Sequence, residues 1–238
     1  MGAPELATVP DDIVYPEEER VGEELLQRWI VELLRPLTQR WLDECGRKAL
    51  AGADQFIYYR EGNIKERVAP DVYVLPGVAP GTRIRSWKIW ETGIAPSFAL
   101  EVASRDWRKD YEEAPGRYEE AGVDELVVFD PCWQERPGGA GVRWQVYRRE
   151  GRAFGFIEKT NADRVRSESL SCWLRVVGEG DVQRLRLGHG PEGEILFPTA
   201  EEAERAAKEK ERAAKEAALA RIAELEAQLA ELSHKDQQ

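Results

Sequence analysis

Two carboxylates stand out because each lies in a short apolar segment of the kind that forms a buried strand. Residues 70–75 (PDVYVL) contain Asp71, and residues 97–104 (SFALEVAS) contain Glu101. Pro and Gly bound both segments, which is typical of the central strands of a sheet. An ionised carboxylate in such a strand costs several kcal/mol unless a cation or hydrogen bonds compensate it. A divalent cation shared by Asp71 and Glu101 would provide that compensation, so we predict a two-carboxylate metal site.

The alternation of side chains along a strand places Glu101 on the same face as Ala99 and Ala103. These two small residues leave room on that face for a hydrated divalent cation. Each carboxylate also has a purely structural interpretation. Asp71 could cap the local turn that precedes its strand, and Glu101 could form a buried salt bridge with an arginine such as Arg67.

Several other catalytic arrangements are missing from the sequence. It contains no Gly-x-Ser-x-Gly elbow, no HExxH motif and no GxxxxGK[ST] loop. Two histidines and three widely spaced cysteines do not favour histidine-dependent nucleophiles, zinc sites or a disulfide framework. Carboxylates, lysines and a hard metal remain. Because Mg²⁺ and Mn²⁺ prefer oxygen ligands and activate water beside a phosphate, the predicted chemistry is phosphodiester hydrolysis.

The composition predicts a folded, water-soluble protein. The 238 residues, 42% hydrophobic and 33% charged, suffice for one domain with a sizeable core plus an appendage. No apolar run approaches the ~18 residues of a membrane span, and the acidic residues 1–19 do not resemble a signal peptide. We therefore expect a cytoplasmic protein with no membrane partner. The net charge of -11 requires that any nucleic acid be met by a restricted basic patch.

The elements that must position the two carboxylates follow from the order of patterns along the chain. Residues 1–20, rich in Pro and Glu, are predicted to be an extended lead-in, and residues 21–198 the folded domain. A helical period over residues 21–42 contains Pro36, which should kink or split the helix. The Asp71 and Glu101 strands, a helix ending near Gly122 and a strand over residues 125–131 then predict an α/β sheet with a crossover helix. Further C-terminal β-hairpins are expected between residues 143 and 196.

A basic and aromatic segment lies in the connection over residues 76–96. Arg83, Arg85 and Lys88 alternate with Trp87 and Trp90. These residues could contact phosphates and stack on bases. They could equally form a surface turn whose tryptophans fill the edge of the core.

Residues 199–238 form a charged helical tail in this interpretation. Thr199 and Glu202 have the spacing of a capping box. Apolar residues then recur at alternating spacings of four and three, as in a coiled coil: Ala218, Ile222, Leu225, Leu229 and Leu232. A seam this short gives only marginal stability to a coiled coil by itself. The tail therefore either reinforces self-association through another interface or remains a solvated helix.

The spacing of a Pro-Asp strand start and a Glu on the next strand is that of the PD-(D/E)xK nucleases. More specifically, the chain resembles the Uma-type restriction endonuclease domain family of that superfamily, over most of residues 13–203. The resemblance rests on residues 29–31 (WIV), 58–62 (YYREG), 67–72 (RVAPDV), 88–91 (KIWE), 100–104 (LEVAS), 118–123 (YEEAGV), 126–131 (LVVFDP) and 198–203 (PTAEEA). It implies a restriction-endonuclease-like fold, a central mixed β-sheet flanked by helices, with Asp71 and Glu101 as metal ligands.

The chain departs from the family pattern at its lysine. Ala103 occupies the position two residues after Glu101, and Ala114 occupies the position one helical turn before Tyr118. Both places carry a lysine in members of the superfamily or family. Lys109, two turns before Tyr118, is our first candidate for activating the attacking water, and Lys88 is the second. The alternative for Lys109 is a solvated helix face.

The function that the resemblance implies is Mg²⁺- or Mn²⁺-dependent cleavage of DNA by a homodimer. Glu24, on the first helix, is a further candidate carboxylate, although a residue in the first helical turn is also favoured there by the helix dipole. Two rival functions stay open at this point. One is a catalytically inactive scaffold that acts through its C-terminal helix, and the other is a nucleic-acid-binding protein without cleavage.

Overall fold

The computed structural model describes residues 19–151 and 153–235, with side chains described for residues 25–226 apart from 152 and 181. The chain divides into one compact unit that ends at Ile195 and a second that begins at Leu196. Of the lead-in predicted over residues 1–20, residues 1–18 lie outside the described residues, and residues 19 and 20 are helical, so the prediction is wrong for those two. Within the ranges that are described, no helix combines the length and apolar character needed to cross a membrane.

The helices and strands are numbered in chain order. The helices are α1 (Glu19–Glu44), α2 (Ile89–Thr92), α3 (Ala114–Glu120) and α4 (Ala200–Lys235), and a π-helical segment (Lys109–Glu113) leads into α3. The strands are β1 (Ala49–Gly52), β2 (Phe56–Tyr58), β3 (Arg67–Val68), β4 (Val72–Pro76), β5 (Ser86–Lys88), β6 (Phe98–Val102), β7 (Glu125–Phe129), β8 (Trp144–Glu150), β9 (Ala153–Thr160), β10 (Arg164–Ser167), β11 (Cys172–Val177), β12 (Arg184–His189) and β13 (Ile195–Leu196).

A six-stranded mixed sheet forms the centre of the first unit, in the order β1-β4-β6-β7-β8-β9. β6 and β7 are parallel, and the other neighbours are antiparallel. The parallel pair is joined by the segment that contains α3, because parallel neighbours need a crossover connection. α3 is followed by Gly122 with a left-handed φ of 75°, a conformation that glycine adopts without strain. The predicted mixed α/β sheet with a crossover helix is confirmed.

Two smaller sheets contain the remaining strands. β3-β2-β5 form a three-stranded sheet, and β10-β11-β12-β13 form a four-stranded sheet. The second of these confirms the expected C-terminal hairpins. β5 and the single turn α2 lie in a connection that the sequence predicted to be loop-like, because elements of three and four residues are too short to show a period.

The sequence predicted that Pro36 kinks or splits the first helix, and of these the split is wrong, because α1 continues through Pro36. A proline inside a helix loses one hydrogen bond and costs about 3 kcal/mol. Leu34 before it and Leu37 after it are both buried. Packing on both sides of Pro36 therefore offsets the loss and keeps α1 in one piece.

The central sheet and the four-stranded sheet are joined by the buried carboxylate of Glu125, at the start of β7. It accepts hydrogen bonds from the Arg148 guanidinium at 2.9 Å and from the Ser167 hydroxyl at 2.5 Å. The backbone N–H groups of Glu168 and Ser169 donate to it as well, each at 3.1 Å. One side chain thus satisfies donors from both sheets.

One edge of the central sheet carries exposed apolar side chains. β9 is the last strand of the central sheet, and its Phe156 and Ile157 are exposed.

In the second unit, α4 begins with the predicted capping box. The Thr199 N–H donates to the Glu202 carboxylate at 2.8 Å, and the Glu202 N–H donates to the Thr199 hydroxyl at 3.2 Å. The capping box is confirmed.

Candidate active site

Asp71 directly precedes β4, and Glu101 lies on β6, the antiparallel neighbour of β4. Val72 pairs with Leu100 in the β4–β6 register, so the next position along the two strands sets Asp71 opposite Glu101. Directly opposed residues project from the same face of a sheet with Cβ atoms about 5 Å apart. The fold therefore brings the two predicted carboxylates together.

Asp71 is buried and is held from two directions. Gln27 of α1 donates to its Oδ1 at 2.9 Å, and the Val102 backbone N–H of β6 donates to its Oδ2 at 2.6 Å. The side chain thus reaches across the sheet instead of capping its own turn. Burial raises the pKa of Asp71 to about 6, although these two hydrogen bonds favour the charged form.

Glu101 is partly buried and is held by a tyrosine. The Tyr118 hydroxyl of α3 donates to its Oε1. Burial, and next the negative charge of Asp71, raise the pKa of Glu101 well above its ordinary value, and the charge of Arg117 opposes this only weakly. Among the described side chains, no guanidinium is bonded to Glu101. Arg67, the salt-bridge partner considered from the sequence, instead lies 4.1 Å above the ring of Phe56.

The donor set fits a divalent metal. Two carboxylates repel each other at facing positions, and a cation between them would relieve that repulsion. The hydrogen bonds of Asp71 and Glu101 leave acceptor capacity, including Oε2 of Glu101, for an oxygen-seeking cation. In the described part of the chain, no group of three or more His, Cys, Asp or Glu residues could hold a metal. A two-carboxylate site suits Mg²⁺, which usually keeps several waters.

The open space lies beside Asp71. Ala99 and Ala103, which the sequence suggested would leave room for a cation, are buried in the same cluster as Tyr111 and Tyr118 of the helical segment. An open cleft of about 340 Å³ lies next to Asp71 and is lined by Gln27, Arg28, Val31, Glu32, Asp54 and Asp71. The flanking alanines therefore support helix packing, and the cleft gives access to Asp71 from the α1 side.

The candidate lysines lie at the surface. Lys109 is exposed at the start of the π-helical segment, between the buried Trp107 and Tyr111. Lys88 donates to Glu91 at 2.8 Å. Ala103 and Ala114 are both buried, so neither position offers space for a lysine reaching solvent.

The remaining predicted residues are placed as follows. The Glu24 side chain lies outside the described residues. Trp87 is buried, and its indole N–H donates to the Ile94 carbonyl at 2.8 Å, which favours the interpretation as a core-edge residue. Arg83 and Arg85 are exposed in the connection before β5. These placements separate Trp87 from the surface residues with which the sequence grouped it.

Sequence reasoning missed the residues that hold the two carboxylates. Gln27 and Tyr118 are 44 and 17 residues away from their partners. Asp110 was missed too. It accepts hydrogen bonds from the Ser104 N–H at 2.8 Å and the Ser104 hydroxyl at 3.0 Å, and its charge acts on both Asp71 and Glu101. Of the three, Tyr118 alone had a signal, its place in the family pattern.

Metal-free protein should be more stable near pH 5 than near pH 7 because of Asp71. Its carboxyl has a pKa of about 6 when folded against an ordinary 3.8, so between these values the folded state binds more protons than the unfolded state. Stability is then lost as the pH rises through about 6. We expect a difference of about 1 kcal/mol in the free energy of unfolding, measured by urea denaturation in EDTA.

The Asp71→Asn variant should have a smaller pH dependence than wild type, and the part that remains should come from Glu101, whose pKa burial also raises. Asp106→Asn, which changes an exposed aspartate between β6 and the π-helical segment, is the matched control and should retain the wild-type pH dependence. An Asp71→Asn protein with the full wild-type pH dependence would contradict this assignment.

Comparison with known proteins places the chain in a family. Residues 7–201 match the family model Uma2, described as "Putative restriction endonuclease". No curated protein matches the chain. Among solved structures, a crystal structure from Anabaena variabilis, described as "a putative nuclease belonging to DUF820", is 15% identical with a TM-score of 0.41. That match covers 63% of this chain and 74% of the other. Because the family model spans most of its length, the chain belongs to the Uma2 family.

Proposed function

We propose that this protein is a metal-dependent endonuclease of the PD-(D/E)xK type that hydrolyses phosphodiester bonds in DNA. The observation that carries the proposal is the facing pair of Asp71 and Glu101, two repelling carboxylates with no described cation bonded to them. Membership of the Uma2 family supports it. Mg²⁺, or Mn²⁺ in its place, is the proposed cofactor, with Asp71 and Glu101 as its protein ligands.

A divalent cation bound there would lower the pKa of a bound water and neutralise charge that develops on the phosphate. The protein's own contribution is to hold the ligands. Gln27 and the Val102 N–H each fix one oxygen of Asp71, and Tyr118 fixes Oε1 of Glu101. Both carboxyls must be ionised to bind a cation, and burial raises the pKa of both, so cation affinity should increase with pH through the neutral range.

Lys109 is the proposed water-activating residue. Its side chain is exposed and flexible, and no hydrogen bond or ion pair holds its ammonium group among the described residues. It is therefore available to turn toward a bound phosphate and to orient the attacking water. General acid–base assistance of this kind contributes about 10²- to 10⁴-fold to a rate.

The Lys109→Met variant should cleave DNA about 10²-fold more slowly than wild type while its free energy of unfolding stays within about 0.5 kcal/mol. Initial rates of plasmid nicking at saturating Mg²⁺ measure the first quantity, and urea denaturation measures the second. Lys48→Met, an exposed lysine directly before β1, is the matched control and should have the wild-type rate. Full activity in Lys109→Met, with a loss in Lys88→Met, would transfer the role to Lys88.

One observation favours a second candidate function. Ala103 and Ala114 fill the positions where the family pattern has lysine, and both are buried. A protein that lost its lysine in this way would serve as a scaffold or a nucleic-acid-binding protein, with no cleavage. The homodimer remains part of our proposal. Ile222 and Leu225, two residues of the predicted coiled-coil seam, are exposed on α4, and their exposure supports a self-association role for that helix.

The proposal is tested with purified protein on supercoiled plasmid and on circular single-stranded DNA, with Mg²⁺, Mn²⁺ or EDTA. We expect nicking with either metal and none in EDTA. Cleavage of RNA in preference to both DNA forms would overturn the proposed substrate. No cleavage of any nucleic acid, together with unchanged metal affinity in Glu101→Gln, would overturn the enzyme and favour the scaffold.

A further inference from the structure

The outward side of the three-stranded sheet β3-β2-β5 carries an exposed aromatic surface. Tyr58 of β2 pairs with Arg67 of β3 and with Lys88 of β5, so these three side chains lie on one face. Phe56, two residues before Tyr58 on β2, lies on the same face. Trp90, just after β5, lines the same cleft as Tyr58 and Lys88. Phe56 is 43% exposed and Trp90 is 36% exposed. We call these five residues the aromatic face.

The aromatic face adjoins a shallow cleft of about 350 Å³. Its lining includes Tyr58, Arg60, Ile64 and Trp90, and Ile64 is 74% exposed. The rings of Phe56 and Tyr58 are 6.2 Å apart between centroids. Apolar side chains that are both exposed and grouped together are typical of an interaction surface.

The charge of this region is opposite to that of the chain. Residues 56–92 hold six Lys or Arg and four Asp or Glu, whereas the whole chain holds 34 and 45. Arg60 and Lys88 are paired with Glu66 and Glu91. The other cations have no carboxylate partner among the described residues, and they are Lys65, Arg67, Arg83 and Arg85. Arg67 lies on the aromatic face, and Lys65 and Arg85 directly neighbour Ile64 and Ser86 of the cleft lining, with Arg83 two residues before Arg85. We take these cations as the restricted basic patch with which an acidic protein would meet a polyanion.

We propose that the aromatic face binds single-stranded nucleic acid, with bases stacked on Tyr58, Trp90 and Phe56 and phosphates held by Arg83 and Arg85. Aromatic rings beside unpaired cations suit this ligand because every unstacked base offers a π-face and every nucleotide a charge. A duplex keeps its bases stacked on each other and would use only the cations. The inference rests on the proposed nuclease function, because it identifies the substrate of that nuclease as single-stranded.

The connection between the aromatic face and the carboxylates is short. Arg67 lies on β3, four residues before Asp71, and its backbone carbonyl accepts a hydrogen bond from Arg117 of α3. Arg117 is also the cation whose charge acts on Glu101. β3 therefore links the aromatic face along the chain to Asp71 and, through Arg117, to the charges around Glu101.

Fluorescence anisotropy of labelled oligothymidylate tests the inference, in EDTA and in a Glu101→Gln background so that cleavage does not interfere. We expect the Tyr58→Ala/Trp90→Ala double variant to bind at least about tenfold more weakly, because each stacked base contributes to affinity. Tyr58→Phe/Trp90→Phe keeps both rings and should bind as the parent does. Phe156→Ala, an exposed phenylalanine on β9, is the matched control and should also bind as the parent does.

Salt dependence tests the charged part separately. Arg83→Ala/Arg85→Ala should reduce the slope of log affinity against log salt by about 1.4, the value for two phosphate contacts to a single strand. A duplex of the same length should bind more weakly than the single strand. Equal affinity of the parent and the Tyr58→Ala/Trp90→Ala variant, or tighter binding of the duplex, would overturn the inference.

The outcome is distinguishable from failure of the proposed function. Mg²⁺-dependent cleavage by the wild type, with unchanged binding in the ring variants, would reject the aromatic face alone. Ring-dependent binding without any cleavage would support the face and reject the nuclease.

Discussion

Glu101→Gln should abolish metal-dependent cleavage, with a loss of about 10³-fold or more in rate. The amide has the shape of the carboxylate and still accepts a hydrogen bond from Tyr118, so the change removes the negative charge and little else. Initial rates of plasmid nicking in Mg²⁺ measure the loss, and calorimetric titration of Mn²⁺ measures the accompanying loss of cation affinity.

Thermal unfolding in EDTA provides an independent check on Glu101→Gln. Because the amide no longer repels Asp71, the metal-free variant should unfold at a temperature equal to or above that of wild type. Glu119→Gln, an exposed glutamate on α3, is the matched control and should keep full activity. Wild-type nicking by Glu101→Gln would show that any activity lies elsewhere or comes from a contaminant.

Glu125→Ala should cause the largest loss of stability, about 3–5 kcal/mol in the free energy of unfolding. The substitution leaves the Arg148 guanidinium without its carboxylate and removes the acceptor for the Ser167 hydroxyl and for two backbone N–H groups. Domains are stable by about 5–15 kcal/mol in total, so this variant should be close to unfolding at ambient temperature. Urea denaturation followed by tryptophan fluorescence measures the effect.

A surface ion pair provides the control for Glu125. Glu32 accepts a hydrogen bond from Arg28 at 2.8 Å, but both side chains are more than half exposed. Glu32→Ala should therefore change the free energy of unfolding by less than about 1 kcal/mol. A loss of that small size in Glu125→Ala would mean that the two sheets are held together by other contacts.

The facing carboxylates could be predicted from the sequence because short-range rules suffice there. Apolar runs bounded by Pro and Gly locate β4 and β6, and strand alternation gives the face of Glu101. Their partners could not be predicted, since Gln27 and Tyr118 reach them through tertiary packing that no local period records. The same limit applies to Glu125, whose strand was predicted but whose partners were not.

The tryptophans of the basic segment show where local patterns stop being informative. Trp87 and Trp90 are three residues apart, yet the first is buried with its indole hydrogen-bonded and the second is exposed. The difference comes from β5, where Trp87 points to the core and Lys88 to the outward face. Because β5 was not predicted, the two rings could not be told apart. The role of Lys109 remains a prediction in the same sense, as its side chain is exposed and local geometry does not assign it.

The eight-residue strand β9 has a consequence for how this protein behaves at high concentration. No described strand pairs with its outer side, so its backbone amides and carbonyls form a ready template for strand addition by another chain. The exposed apolar side chains of Phe156 and Ile157 would favour such an addition. The charged side chains of Glu158 and Lys159, which follow directly, would oppose it. We therefore expect these two charged residues to limit association at the rim of a sheet whose candidate metal-binding carboxylates lie several strands away.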